Sequence, residues 1–386
     1  MLWRPKMREG ARGFGLLMIF LFVFLTVTTR AGTLPPIQTV FVILMENNNW
    51  SNIKGNPAAP YINSLLPRAS HCEQYTSVYH PSLPNYLWLE AGTNFGISDD
   101  NDPSSDHQST TNHLVTLLNN AGITWKAYEE GIPGTNVPLL NTSSGYAVRH
   151  DPFAYFDDIT GTNNPNYAYG IAHIRPFTEL VGDLASNHVA RYNFITPNVC
   201  DDMHDTCAPL NNSVLQGDNW LSNNLPIILG SEAYLNGGAV FITWDESEGG
   251  TYPIGMIVLS PYARGSGYSN TVSYTHSSTL RTMQEIFGVT PLLRDAANAT
   301  DLSDLFMPPQ TPPAGLEITN FSASANGVKM NVVGVNPGST NVVQLSTDLA
   351  HWNPVSTNVA TTSSFAYTNS SPANIGKTFY RVIEMR

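Results

Sequence analysis

Three carboxylates and one carboxamide follow directly on two apolar runs. Val40-Phe-Val-Ile-Leu-Met45 leads into Glu46-Asn47, and Gly238-Ala-Val-Phe-Ile-Thr-Trp244 leads into Asp245-Glu246. These side chains are hard oxygen donors, the kind that suits a divalent cation. The plainer alternative is that the acids leave the sheet as solvated loop starts, and the repetition of the pattern weighs against it. Ser82 lies in His80-Pro-Ser-Leu-Pro-Asn-Tyr86, where it can cap the helical pattern Tyr86 to Ala91 or attack from that helix's positive end. A cation held by the carboxylates would lower the pKa of Ser82 and favour it as a nucleophile. Such a site suits phosphoryl transfer, in which positioning and charge neutralisation do most of the catalysis. Acyl transfer fits less well, because Ser82 lacks the Gly-x-Ser-x-Gly elbow. His150, His204 and His276 complete the candidates at or beside strand ends, and each also reads as an ordinary loop histidine.

The elements that must place these residues follow from the pattern. A run as long as 40–45 with no polar alternation predicts a parallel strand covered on both faces, and ligands gather at the carboxyl ends of such strands. Further strands are predicted at Thr124 to Tyr128, Arg191 to Ile195 and Gly255 to Ser260. Helices are predicted at Pro60 to Leu66, His113 to Asn120, Leu180 to His188, Asn219 to Gly230 and Thr279 to Phe287. The alternation gives an α/β class, a mostly parallel sheet with helices on both faces over residues 32–306. The acidic stretch Asp99 to Asp102 lacks the spacing of a calcium-binding loop and reads as surface loop. The proline-rich residues 307–314 read as a linker. Short alternating runs with Gly, Asn, Pro and Ser turns over 315–386 predict a small all-β sandwich, taken as an accessory module that binds a surface or carbohydrate.

The first residues read as a leader. Met1 to Arg12 is basic, Phe14 to Val27 is apolar, and Thr28-Thr-Arg-Ala31 follows, the grammar of a secretory signal over 1–31. The apolar part is short for a span, so no stable membrane insertion is expected once it is removed; its retention as an anchor is the alternative. Secretion, or export to a periplasm, is the expected localisation. Removing five basic residues and one acidic residue takes the net charge from −12 to about −16. A surface so acidic excludes nucleic acid as a partner. Three cysteines are too few for a disulfide scaffold. In an oxidising compartment Cys200 and Cys207 are expected to pair, contributing about 2 to 3 kcal/mol by loop closure, while Cys72 stays buried and free.

The same residues carry a family resemblance. Met45-Glu-Asn47, His80-Pro-Ser-Leu-Pro-Asn-Tyr86, Arg149-His-Asp-Pro-Phe153, Thr196-Pro-Asn198, Asp202-Met-His-Asp205, Thr243-Trp-Asp-Glu246 and Tyr274-Thr-His-Ser-Ser278 resemble the bacterial phosphoesterase family. That family holds acid phosphatases and phosphatidylcholine-type phospholipases C on an alkaline-phosphatase-like fold. The resemblance covers roughly residues 37–306, with the motifs in the family's order. It implies that Glu46, Asn47, Asp245 and Glu246 bind one divalent metal ion and that Ser82 becomes phosphorylated. It also implies that His150 and His204 hold phosphate oxygens or protonate the leaving group, with His276, Asp205 and Asn85 as supports behind them.

The expected substrate is a phosphomonoester small molecule rather than a phospholipid headgroup, since the chain shows no basic cluster and no free amphipathic helix for docking on lipid. A phospholipase C-type phosphodiesterase is the first alternative. A non-catalytic surface- or carbohydrate-binding protein on the same scaffold is the second.

Overall fold

The structure, a computed structural model, describes residues 34–308, 316–324, 327–347, 352–369 and 378–385. The leader and most of the proline-rich linker lie outside the described residues. Eight strands build the main sheet: β1 (Thr39–Met45), β2 (Ser70–Thr76), β3 (Trp125–Glu129), β4 (Ile174–Pro176), β5 (Tyr192–Thr196), β6 (Gly238–Trp244), β7 (Met256–Leu259) and β8 (Tyr268–Thr275). Their order across the sheet is β4-β3-β5-β1-β6-β7-β2-β8. Pairing is parallel from β4 to β6 and again between β2 and β8, while β7 runs antiparallel to both of its neighbours. The sheet is therefore mostly parallel, as the alternation of elements predicts.

β1 and β6 are buried at every residue, which is why neither shows polar alternation. They are direct neighbours, registered from Thr39 against Gly238 to Met45 against Trp244. That register carries both chains out of the sheet at one level, and the Asp245 amide donates to the Met45 carbonyl at 2.9 Å. Glu46 and Asp245 are thus brought side by side by backbone pairing alone.

Three strands depart from the sequence expectation, the three-residue β4 among them. β2 (SHCEQYT) and β8 (YSNTVSYT) carry little apolar character, and no strand is predicted there. β8 closes one edge of the sheet with half of its residues exposed, so its pairing comes from backbone bonds to β2 rather than from an apolar pattern. The helix expected from Tyr86 starts earlier, at Ser82, and runs to Ala91. Pro84 is tolerated because it falls in the first turn, where no intrahelical donor is lost. The helix expected from Asn219 likewise begins at Ser213 and ends at Leu229.

The C-terminal residues form two three-stranded antiparallel sheets. One has the order β13 (Ser364–Asn369), β10 (Gly327–Val333), β9 (Glu317–Ser324); the other has β12 (Asn353–Val359), β11 (Thr340–Ser346), β14 (Phe379–Met385). They share a small core of their own that includes Val328, Met330, Val332, Val343 and Tyr367. Among the described residues no helix is long and apolar enough to cross a membrane.

Candidate active site

Glu46 leaves the end of β1 fully buried, and other elements converge on its two carboxylate oxygens. Ser82 Oγ donates to Oε2 at 3.1 Å and the Tyr86 hydroxyl donates to Oε1 at 2.5 Å. Ser82 and Tyr86 are four residues apart, so one helix face delivers both. His150 Nε2 stands 3.5 Å from Oε2, and its ring stacks on Tyr86 at 5.2 Å. Ser82 makes no cap bond; its hydroxyl is committed to Glu46. The helix is stopped by Gly92, whose φ of +67° a side chain would resist and whose added Cβ would stand 2.6 Å from the Leu293 carbonyl.

Asn47 follows with φ +35°, a left-handed conformation that asparagine tolerates and a β-branched residue does not. This bend lets the Asn47 amide donate to Asp245 Oδ1 at 3.0 Å. Asn47 Oδ1 lies 3.1 Å from Asp245 Oδ1 and 3.1 Å from Glu46 Oε2, three oxygens with no hydrogen between them. Turning the amide end for end would satisfy that contact. It would leave Asp245 Oδ2, Asp202 Oδ2 and His150 Nε2 as they are, buried and without hydrogen-bond partners. A cation would meet that need at Glu46, His150 and Asp202, whose ligand atoms lie within 4.8 Å of one another, and oxygens about 3 Å apart, as around Asn47, suit the edges of a compact coordination shell. The donor set therefore fits a hard divalent cation.

Asp202 and Arg149 belong to this cluster and were not among the expected site residues. Asp202 is fully buried, its Oδ2 stands 3.3 Å from His150 Nδ1, and its carbonyl accepts from the Glu46 amide at 2.8 Å. Glu46, His150 and Asp202 each offer a ligand atom within 4.8 Å of the others, so Glu46 faces a second donor group besides Asn47 and Asp245. Arg149 Nη2 lies 3.4 Å from His204 Nε2, and its Nε lies 3.8 Å from Asp100 Oδ2. Asp100 Oδ1 in turn accepts from the Leu83 amide, which ties Arg149 to the first turn of the Ser82 helix. The signal that could have found both residues was adjacency: Arg149 precedes His150, and Asp202 stands two residues before His204.

The remaining expected residues are placed as follows. Asn85 donates to Glu246 Oε2 at 3.2 Å while its own oxygen accepts from the Val78 and Tyr79 amides. His276 Nε2 lies 2.6 Å from the Asp245 carbonyl and its Nδ1 lies 3.0 Å from the Tyr75 hydroxyl, so both of its nitrogens are spent on support. His204 is half-buried; its amide donates to Asp202 Oδ1 at 2.7 Å and its Nδ1 lies 2.7 Å from the exposed Asp205. Cys200 and Cys207 are disulfide-bonded around this loop, and Cys72 is free and buried, both as expected. Met203, at φ +85°, drops into the space above Gly217.

Electrostatics mark the cluster as a place that calls for positive charge. Burial, then the charges of Asp245 and Asp202, push the Glu46 carboxyl well above the usual range. Burial raises Asp245 and Asp202 as well, and burial followed by Asp245 lifts Glu246 to about 8. Burial, then Arg149 and His204, drive His150 well below the ordinary histidine value, so it is a neutral ring able to offer a lone pair.

A buried hydroxyl and a carboxylate-rich donor set at the ends of adjacent parallel strands are the fittings of a phosphoester hydrolase. The chain belongs to the phosphoesterase family, whose pattern matches residues 56–290. It is 29% identical to a phosphatidylinositol-3-phosphatase of Mycobacterium tuberculosis over 72% of this chain and 85% of that protein. It is 27% identical to a probable acid phosphatase of Kluyveromyces lactis over 69% of this chain, and spans 64% of that longer protein. A protein of the alkaline phosphatase superfamily from Vibrio parahaemolyticus superposes with a TM-score of 0.48 at 11% identity, over 84% of each chain.

Proposed function

We propose that the protein is an exported, metal-dependent phosphomonoesterase that works through a phosphoserine at Ser82. The observation that carries this reading is the 3.1 Å contact of Ser82 Oγ with Glu46 Oε2 inside a group of carboxylates whose spare oxygens have no partner. Glu46, Asn47, Asp245 and Glu246 would hold the cation, with Asp202 and His150 beside them. When bound, a divalent cation neutralises these carboxylates and acidifies the serine hydroxyl.

The chain's own residues do the rest. Ser82 Oγ attacks phosphorus, the bond from phosphorus to the leaving oxygen breaks, and the hydroxyl proton passes to Glu46 Oε2, which already accepts it as a hydrogen bond. Arg149 holds the non-bridging oxygens, since the guanidinium fork suits them and Asp100 ties it to the first turn of the Ser82 helix. His204, the more accessible of the two candidate histidines, is placed to protonate the departing alkoxide, while His150 is buried among the carboxylates. Water then attacks the phosphoserine and gives a proton to His204, the bond from phosphorus to Ser82 Oγ breaks, Oγ recovers its proton from Glu46, and phosphate leaves.

Both named relatives are phosphatases, which supports a monoester substrate over the diester of a phospholipase C. The Mycobacterium tuberculosis relative's name adds a lipid-borne monoester as a substrate to compare with a soluble one. Export is supported by the leader and by the disulfide next to the site. Residues 315–386 would serve as the accessory module.

The test is mass mapping after a rapid quench with a nitrophenyl phosphate. The wild type should carry a phosphate on Ser82, and Ser82→Ala should lose turnover while keeping its fold. Turnover in Ser82→Ala at the wild-type rate ends this reading. A parallel assay on phosphatidylcholine vesicles should release little phosphocholine; preferential release would promote the phospholipase C alternative.

A further inference from the structure

His80 stands two residues before Ser82, and both of its ring nitrogens face acceptors. Nδ1 lies 3.1 Å from Glu246 Oε2 and Nε2 lies 2.9 Å from the Gly250 carbonyl. A carbonyl can only accept, so Nε2 carries the hydrogen given to Gly250, and that bond turns Nδ1 toward the Glu246 carboxyl. Its side chain is 40% exposed, whereas that of Glu246 is 8% exposed, so it covers Glu246 from the solvent side.

What it touches explains why it matters. Glu246 Oε2 meets both His80 and the fixed amide of Asn85, which reserves Oε1 for another partner. The Gly250 carbonyl also accepts from Ser247 Oγ at 2.6 Å, so the loop after Glu246 closes on the same oxygen that His80 grips. Glu248 of this loop is held from the other side, where Asn52 Nδ2 donates to its carboxylate and Asn49 Oδ1 accepts from its amide. A single ring therefore joins the turn that leads to Ser82, the Glu246 carboxylate and the loop behind it.

We propose that His80 is a positioning residue that locks Glu246 in the orientation needed to hold a divalent cation and fixes its loop to the turn carrying Ser82. This rests on the reading of Glu246 as a cation ligand. A carboxylate free to rotate loses entropy when it binds metal, and removing the partner that orients a ligand lowers metal affinity by about 10- to 100-fold.

Calorimetric titration of Mn²⁺ into chelator-stripped full-length protein tests it, on wild type, His80→Ala, Glu246→Gln and the double variant. His80→Ala should bind Mn²⁺ about 10- to 100-fold more weakly, while unfolding at the wild-type temperature in chelator. His80→Gln, which keeps one amide donor, should recover part of the loss, and it stands in if the alanine variant does not fold. In the Glu246→Gln background the His80 change should add less than roughly threefold, because the interaction it acts through is gone. Wild-type affinity in His80→Ala alongside weakened Glu246→Gln overturns the lock and leaves the ligand reading standing. An equal loss in both backgrounds also overturns it. Wild-type affinity in Glu246→Gln removes the ligand reading, and the lock with it.

Discussion

Ser82 Oγ donates to Glu46 Oε2 across 3.1 Å although 36 residues of chain separate them. One sits on the first turn of a helix and the other just past a central strand. Their contact orders the site, since Tyr86 and His150 meet the same carboxylate.

Removing a charge from the buried carboxylate group should separate metal binding from folding. In Asp245→Asn the amide oxygen can keep the bonds from the Asn47 and Glu246 amides, and the NH2 group takes the place of the unpartnered Oδ2. Thermal unfolding in chelator should therefore rise, by about 2 to 4 °C for each kcal/mol gained in a domain of this size. The added stability that the wild type gains from Mn²⁺ should vanish. A variant that loses stability to the same degree with and without metal would show that Asp245 is structural.

Glu90 gives a pH dependence that lies away from the metal-ligand group. It is fully buried, accepts from the Tyr192 hydroxyl at 2.6 Å, and burial raises its pKa from 4.5 to about 8. Between those values the folded chain keeps a proton that the unfolded chain has released. Its contribution is thus complete below pH 4.5 and declines by roughly 1.4 kcal/mol per pH unit until the folded carboxyl ionises near pH 8. Glu90→Gln should flatten this slope and unfold at a higher temperature than wild type at pH 8, with the gap closing toward pH 4.5. Parallel pH profiles of the two proteins would refute it.

Gly217 makes room for the loop that carries Asp202 and His204. A Cβ at this helical position would stand 2.7 Å from Met203 Cε and 2.9 Å from Met45 Cε. Gly217→Ala should therefore cost about 1 to 3 kcal/mol by overpacking, despite alanine's better helix propensity. Activity measured well below the unfolding temperature should fall too, because Met203 is flanked by Asp202 and His204. A stabilised, fully active variant would contradict this.

Reduction of Cys200–Cys207 should act on the site loop before the sheet. Gln216 holds the same loop independently: its Nε2 donates to the Cys200 carbonyl at 2.6 Å and to the Asp205 carbonyl at 3.1 Å, and its Oε1 accepts from the Cys207 amide at 2.9 Å. Reduced wild type should keep much of its activity, and Gln216→Ala should lose activity on reduction while the sheet stays folded by circular dichroism. Hydrogen exchange over 200–207 that is unchanged by reduction in Gln216→Ala would disprove the division of labour.

The sequence by itself determined the two buried strands and the residues at their carboxyl ends. An apolar run with no alternation can be satisfied only by cover on both faces, and a polar pair at its end must emerge where ligands can reach it. Ser82 was legible for a related reason, since the prolines around it restrict the local backbone. Tertiary structure decided the rest. That β1 and β6 are neighbours in the register Met45 to Trp244 depends on contacts between segments almost two hundred residues apart, which no local pattern encodes. β2 and β8 are polar strands whose pairing is supplied by their partners. Asp202, Arg149 and His80 lie within recognisable motifs, but their own roles emerge only when the chain closes, because those roles come from the charges brought next to them. A carboxylate's chemistry is set by its solvation and its neighbours, and both of those exist only in the folded molecule.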